Sequence, residues 1–311
     1  MTAAPPPAGA PDPAHDPGPD PVADPGPELD ADSALEILAR GELEVRGRIV
    51  DASNATLLAA VELEGVEALC VYKPIAGERP LWDFPGRTLA YREVGTYLLA
   101  SAAGWDIVPP TTLRADGPFG PGSVQWWVAG PGDDEAPDAD GEVPVPIAEP
   151  GAGVVDVVPP GQVPKGWLHV VEAMGWDGER VALAHADDPP LRRMAVLDAV
   201  ANNADRKGGH ILRGADGGIF GVDHGLTFNE DDKLRTVLWG WGGQSLTDEA
   251  VEVLERLAGD LDGDGPLRRG LLDLLDRREV QRTLHRVRML LRSRRHPRPG
   301  GGRPSIPWPA F

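Results

Sequence analysis

Cysteine is nearly missing from this 311-residue chain: Cys70 stands alone, so an intramolecular disulfide and a Cys-x-x-Cys metal site are both excluded. No window reaches the 18 or more apolar residues that a membrane-spanning helix requires, and Met1–Ala10 has neither the basic nor the apolar stretch of a signal peptide. These absences predict a soluble, cytoplasmic protein with no transmembrane segment. Basic charge is also short, with 30 Lys and Arg against 49 Asp and Glu and a formal net charge of −19. A whole-molecule attraction to nucleic acid or to an anionic bilayer is therefore not expected. The sequence contains no Gly-x-Ser-x-Gly elbow, no His-Glu-x-x-His pair and no Gly-x-Gly-x-x-Gly between strand and helix, which removes the main support for hydrolase and dehydrogenase chemistry. His169, His185 and His224 show no His-x-x-x-His spacing, so zinc is not supported either.

What the chain has in excess is Gly (39) and Pro (33), and these cluster. Residues 1–32 are mostly Pro, Ala, Gly and Asp with no Lys, Arg, Phe, Trp or Tyr, and they read as a disordered acidic tail with too little apolar surface to offset chain entropy. Residues 131–160, rich in acids and prolines, read as a linker or insert between two ordered halves. From Arg277 to Arg303 ten arginines accumulate, first on a helical pattern and then in a basic Pro/Gly tail over residues 296–311. Such a run is read first as a solvated face, and second as a contact for the acidic end or for an acidic partner.

Between these segments the hydrophobic period identifies elements. LEVRGRIV (43–50), TLLAAVELE (56–64) and EALCVYK (67–73) are short β-type runs separated by turn residues and predict antiparallel strands. Ala90, Val94, Tyr97, Leu98 and Ser101 share one face of a helix over Arg87–Ala102, with Gly104 as its C-cap. Ser123–Ala129 predicts a further strand. Leu191–Ala204 predicts a buried helix, HILRGADGGIFGVDHG a hairpin, and 247–258 and 267–291 two more helices. DLDGDGP, between the last two, has a calcium-loop composition but not the terminal bidentate glutamate. Trp239-Gly240-Trp241 is expected to pack in the core. Arg192-Arg193 and Arg206-Lys207 fit either an anionic substrate or surface pairing with Asp187-Asp188.

The chemistry-bearing residues are two aspartates. Asp205 follows the buried helix, Asp223 comes 18 residues later, and the hairpin between them brings both carboxylates to one place. One such carboxylate can orient or deprotonate an acceptor hydroxyl while the other holds a divalent cation against nucleotide phosphates.

In these residues the chain resembles phosphatidylinositol 3- and 4-kinase-type catalytic domains, within the atypical protein-kinase-like superfamily. The resemblance rests on Asp205-Arg206-Lys207-Gly208-Gly209-His210, on Val222-Asp223-His224-Gly225, on Lys73 at a strand end and on Glu93 of the next helix, and it spans residues 43–240. It implies Asp205 as catalytic aspartate, Asp223 as principal Mg²⁺ ligand, and Lys73 paired with Glu93 to position the ATP phosphates. Ser53 and Asn54 would lie in the phosphate-covering loop, and Trp127 and Val128 on the strand lining the adenine pocket. His210 stands where the family usually has Asn as second metal ligand, a departure that shifts the expected cation from Mg²⁺ toward Mn²⁺.

The expected fold is α+β, a two-lobed kinase-like arrangement with a small β-rich N-lobe carrying one helix (33–130) and a larger, mainly helical C-lobe (161–295). The expected function is an ATP- and divalent-metal-dependent phosphotransferase acting on an unknown hydroxyl of a protein, small molecule or lipid headgroup. Two alternatives stand beside it: a nucleotide-binding pseudokinase serving as a regulatory interaction module, and a nucleotidyl transferase that moves AMP.

Overall fold

The computed structural model describes residues 29–49, 54–79, 81–84, 86, 88–130, 142–143, 153–175, 177–300 and 304–311. The described chain opens with α1 (Ala31–Arg40), which begins inside the stretch read as tail and was not expected. The strands β1 (Glu42–Ile49), β2 (Leu57–Leu63) and β3 (Val66–Pro74) follow as an antiparallel meander. Glu64 and Gly65, both at positive φ, make the two-residue turn from β2 to β3, a conformation that suits the right-handed twist of the flanking strands. Next comes α2 (Leu89–Ala103), closed by Gly104 in the left-handed region, the C-cap that the sequence places there. The strands β4 (Thr111–Arg114), unforeseen, β5 (Gly122–Trp126) and β6 (Glu142–Val143) complete a six-stranded sheet in the order β4-β5-β3-β2-β1-β6.

Strand geometry sends successive side chains to opposite faces, and the two faces of this sheet do different things. Ala59, Val61, Cys70, Tyr72 and Val124 point toward Ile37 and Leu38 of α1 and form a small core. Burial pushes the Cys70 thiol up to about 12, so it is a packing residue and not a nucleophile. The opposite face carries Leu58, Leu69, Val71 and Trp127, and Lys73 follows in the same period.

A three-stranded antiparallel sheet stands where only a linker and helices were expected, formed by β7 (Val155–Val158), β8 (Trp167–Met174) and β9 (Arg180–Ala186) in the order β7-β9-β8. The helix α3 (Pro189–Ala201) starts with two prolines in its first turn, where no amide hydrogen bond is lost, and ends at Asn202 in the left-handed region. A hairpin, β10 (Ile211–Arg213) and β11 (Ile219–Gly221), follows. The helices α4 (Asp248–Asp262), α5 (Pro266–Leu274) and α6 (Arg277–Ser293) complete the fold. The pattern over 267–291 is two helices because Asp276 and Glu279 form a capping box that starts α6 afresh. In DLDGDGP the Asp260 carboxylate accepts from the Arg268 amide at 3.0 Å, so it serves the first turn of α5. The main core lies among α2 to α6 and includes Met194, Leu197, Leu254, Leu271 and Trp241. The class is the α+β one expected, β-rich first and mainly helical afterwards.

Two core histidines give this region a pH dependence. The His185 ring donates from Nδ1 to the Ala186 carbonyl (2.9 Å) and accepts from the Gly240 amide at Nε2 (3.0 Å), so only the neutral ring satisfies both. Burial lowers His185 from 6.5, and burial with the adjacent Arg192 charge lowers His296 to about 4. Both groups hold their protons less tightly when folded, so their contribution is complete above about pH 6.5 and is lost as pH falls, for His296 down to about pH 4. Denaturant titrations at several pH values are expected to show stability falling with a slope of up to about 1.4 kcal/mol per pH unit per histidine. A His185→Gln variant should show a shallower slope than the parent.

Candidate active site

The site assembles where the Lys73 face of the sheet meets α2 and the β10–β11 hairpin. Ile211 pairs with Gly221 across that hairpin, and the Val222 amide donates to the His210 carbonyl at 3.0 Å, so the segments leaving both ends run side by side. Asp205 lies before one end and Asp223 after the other. Lys73 Nζ reaches Glu93 Oε1 at 2.6 Å and Asp223 Oδ1 at 2.9 Å. The second Glu93 oxygen accepts from the His224 amide at 2.9 Å, which ties α2 to the segment bearing Asp223. Glu78, buried and unremarked in the sequence, accepts from the Ala90 amide at 2.9 Å and from that of Leu89 at 3.2 Å, and so caps the helix that carries Glu93.

The charges are mutually set. Burial alone would lower the Lys73 ammonium, but Asp223 and Glu93 outweigh it and leave it raised. Lys73 holds Asp223 well below the usual carboxylate range against its burial, while burial raises Glu93. Burial also raises Asp205, opposed by Lys207, whose Nζ lies 3.4 Å from Asp205 Oδ2, and by His210. Asp223 adopts φ 57°, a left-handed conformation that Asp and Asn tolerate better than most residues.

Beneath these groups is a buried pair that sequence reasoning passed over. Arg206 and Asp198 have side-chain exposures of 0% and 1% and meet at 3.0 Å. The same guanidinium donates to the carbonyls of His210 (3.2 Å) and Val222 (3.0 Å), and to His224 Nε2 (2.5 Å). Arg206 thus neither faces a substrate nor pairs with Asp187 or Asp188: it cross-links both ends of the hairpin from within. Arg192 donates to the Ser245 carbonyl, Arg193 pairs with Glu249, and Asp187 accepts from the indole of the buried Trp241. The available signal for Asp198 is a lone carboxylate inside the apolar run of residues 194–201.

Of the other predicted positions, Ser53 lies outside the described residues. Asn54 spends its side-chain oxygen on the Arg79 amide at 2.9 Å, linking the β1–β2 connection to the residues after β3. Trp127 lies just past β5, with its amide on the Leu69 carbonyl, and packs in the apolar patch of Leu58 and Val71 beside Lys73; Val128 follows it, half-buried. A flat apolar wall next to an ammonium and two carboxylates is the layout a nucleotide base and phosphates would need.

The donor set suits a divalent cation. His210 Nδ1 faces the Asp205 carbonyl at 2.9 Å, so that nitrogen carries the ring proton. Burial lowers His210, keeping the ring neutral, and its Nε2 lone pair then faces the ionised Asp223 Oδ2 at 3.3 Å. Two electron-pair donors pointed at each other accommodate a cation between or beside them. Among the described residues no group of three or more His, Cys, Asp or Glu forms a complete metal cage. Asp223 and His210 would thus be partial ligands, the rest coming from phosphate and water, as is usual for Mg²⁺, while the imidazole favours Mn²⁺.

Among the described residues no helix is long and apolar enough to cross a membrane. No family model matches the chain. The crystal structure of a Helicobacter pylori proinflammatory kinase, CtkA, is similar at a TM-score of 0.40 and 10% identity, covering 83% of this chain and 94% of that one. Protein Rv2133c of Mycobacterium tuberculosis is 49% identical over 268 residues, which make up 86% of this chain and 91% of that protein. With half of the residues shared across nearly the whole of both, the chain belongs to the same family as Protein Rv2133c.

Proposed function

We propose that the chain is an ATP- and divalent-metal-dependent phosphotransferase. The observation that carries this reading is Lys73, drawn from the sheet and held at 2.6 and 2.9 Å between Glu93 of α2 and Asp223 of the hairpin segment. Such a clasp suits an ion of high negative charge density, and nucleotide phosphates are of that kind. In this reading Lys73 binds phosphate oxygens, Glu93 keeps the ammonium aimed, and the face of Leu58, Val71 and Trp127 receives the base. Asp223 and His210 would hold Mg²⁺ or Mn²⁺, which supplies neutralisation of phosphate charge when bound. Asp205 orients the acceptor hydroxyl and takes its proton; a carboxylate raised by burial is better matched to that task than an ordinary one.

Binding is tested without knowledge of the acceptor. Mg²⁺–ATP or Mn²⁺–ATP at about 100 times its dissociation constant should stabilise the protein by roughly 2.7 kcal/mol, visible as a rise in melting temperature. Lys73→Met should abolish that rise while the unliganded protein still melts cooperatively. A wild-type protein indifferent to metal–ATP up to millimolar concentration would exclude the proposal. Stabilisation without turnover would identify the pseudokinase alternative.

A further inference from the structure

We infer that residues 304–311, read from sequence as part of a basic tail, are a working part of the catalytic centre: a strap that sets Asp205 through Gly208, with Phe311 as the positioning residue. This inference rests on the phosphotransferase reading above.

The strap is fastened at both ends to the two runs that make the catalytic loop. At one end the Ser305 carbonyl accepts from the Thr236 amide (3.1 Å) and from the Trp239 indole (2.8 Å). Thr236 lies in the run that pairs with the loop itself, the Arg206 amide donating to Arg235 and the Val237 amide to Arg206, each at 3.1 Å. At the other end the Gly208 amide donates to the Ala310 carbonyl at 2.7 Å. Pro307 is buried, and Ile306, Ala310 and Phe311 pack against the main core, so the strap is anchored along its length.

Gly208 is the contact point. A Cβ built there would overlap the Phe311 ring, whereas a Cβ at the neighbouring Gly209 meets nothing within 4 Å. Glycine at 208 is therefore the condition for the ring to lie against the loop backbone. The residues on either side of this contact are those that touch Asp205: Lys207 through its ammonium and His210 through its ring. Pinning the backbone between them fixes both approaches to Asp205 at once. The side-chain hydrogen bonds and ion pairs of Lys73 and Glu93 among the described residues go to each other, Asp223 and His224, so the strap's influence should fall on the transfer step and not on nucleotide binding.

The test compares wild type, Phe311→Ala and Phe311→Leu in release of labelled γ-phosphate from metal–ATP, together with amide hydrogen exchange. The expected result for Phe311→Ala is a kcat loss of roughly 10- to 100-fold, the range for a misplaced reacting group. KM for ATP should stay within about two-fold, and Phe311→Leu should recover most of the rate, because it refills the contact. Exchange over residues 205–210 should quicken in Phe311→Ala while β2 and β3 are unchanged. An unaltered kcat overturns the inference. So does a joint collapse of kcat, ATP affinity and melting temperature that Leu does not rescue, since that pattern belongs to general packing. If wild type releases no phosphate to water, which stands in for the unidentified acceptor, exchange alone is read, and the phosphotransferase reading is judged separately by metal–ATP stabilisation. Exchange then decides whether Phe311 supports the loop: faster exchange upholds the strap and unchanged exchange removes it.

Discussion

Asp223→Asn is expected to lower γ-phosphate transfer by about 10³-fold or more while the fold persists. The magnitude follows from removing a charge aimed directly at the reacting phosphates, an effect of roughly 4 kcal/mol on the barrier. The substitution is selective for a structural reason. Residue 223 sits at φ 57°, where asparagine is among the few residues comfortable, so the backbone has no cause to move. What changes is electrostatic: Lys73 keeps Glu93 but loses its second counter-charge, and His210 Nε2 no longer faces an anion. Asp205→Asn should lose transfer to a similar degree but leave metal–ATP stabilisation intact, because Asp205 pairs with Lys207 and not with Lys73. Parallel assays of turnover and ligand-induced stabilisation separate the two roles. Equal turnover in wild type and both variants would remove the chemistry assigned to them.

Breaking the Asp198–Arg206 pair should have the largest effect on stability. Both side chains are essentially inaccessible, so either single truncation leaves an uncompensated charge in the interior, a loss of about 3–5 kcal/mol. For a chain of this size that corresponds to a fall in melting temperature on the order of 10 °C. Asp198→Leu alone and Arg206→Leu alone are each expected to be severe, and the double variant much less so than their sum. Activity should not return with stability. Arg206 also holds the carbonyls of His210 and Val222 at 3.2 and 3.0 Å, and nothing in the apolar double variant replaces those bonds. Denaturant unfolding of all four proteins completes the cycle, and simple additivity would contradict a coupled pair.

Local signals explain what was readable in advance. The strands β1, β2 and β3 alternate or run apolar between clear turn residues, α2 has a period and a glycine cap, and the Asp-Arg and Asp-x-Gly motifs flank an evident hairpin turn. The positions that matter to the candidate site, Lys73, Glu93, Asp205, His210 and Asp223, fall on these legible elements, and the structure brings their side chains or loops together. Four features escaped because their cause is not local. The β8 strand is exposed over most of its length and shows no apolar alternation; it is held by pairing with β9 and by Leu168 and Val170 against the main core. Asp198 and Arg206 are polar residues whose burial depends on each other. Arg92, next to Glu93, is buried because Glu279 of α6 and the Thr227 carbonyl meet it, partners more than a hundred residues away. Residues 304–311 look like tail by composition, and their seat is made by distant partners: Thr236 and Trp239 for Ser305, the main core for Ile306, and the missing side chain at Gly208 for Phe311. The split of α5 from α6 is different: Asp276 and Glu279 have the spacing of a capping box, and that signal was legible but overridden by the longer apolar pattern.

The most direct trial of the whole account is to follow the label when the protein turns over ATP marked either at the α- or at the γ-phosphate, with Mg²⁺ or Mn²⁺ present. Radioactivity leaving with the γ-phosphate alone, and vanishing in Asp205→Asn and Asp223→Asn, is the predicted outcome. Transfer of the α-label, or release that is the same in wild type and both variants, would contradict it.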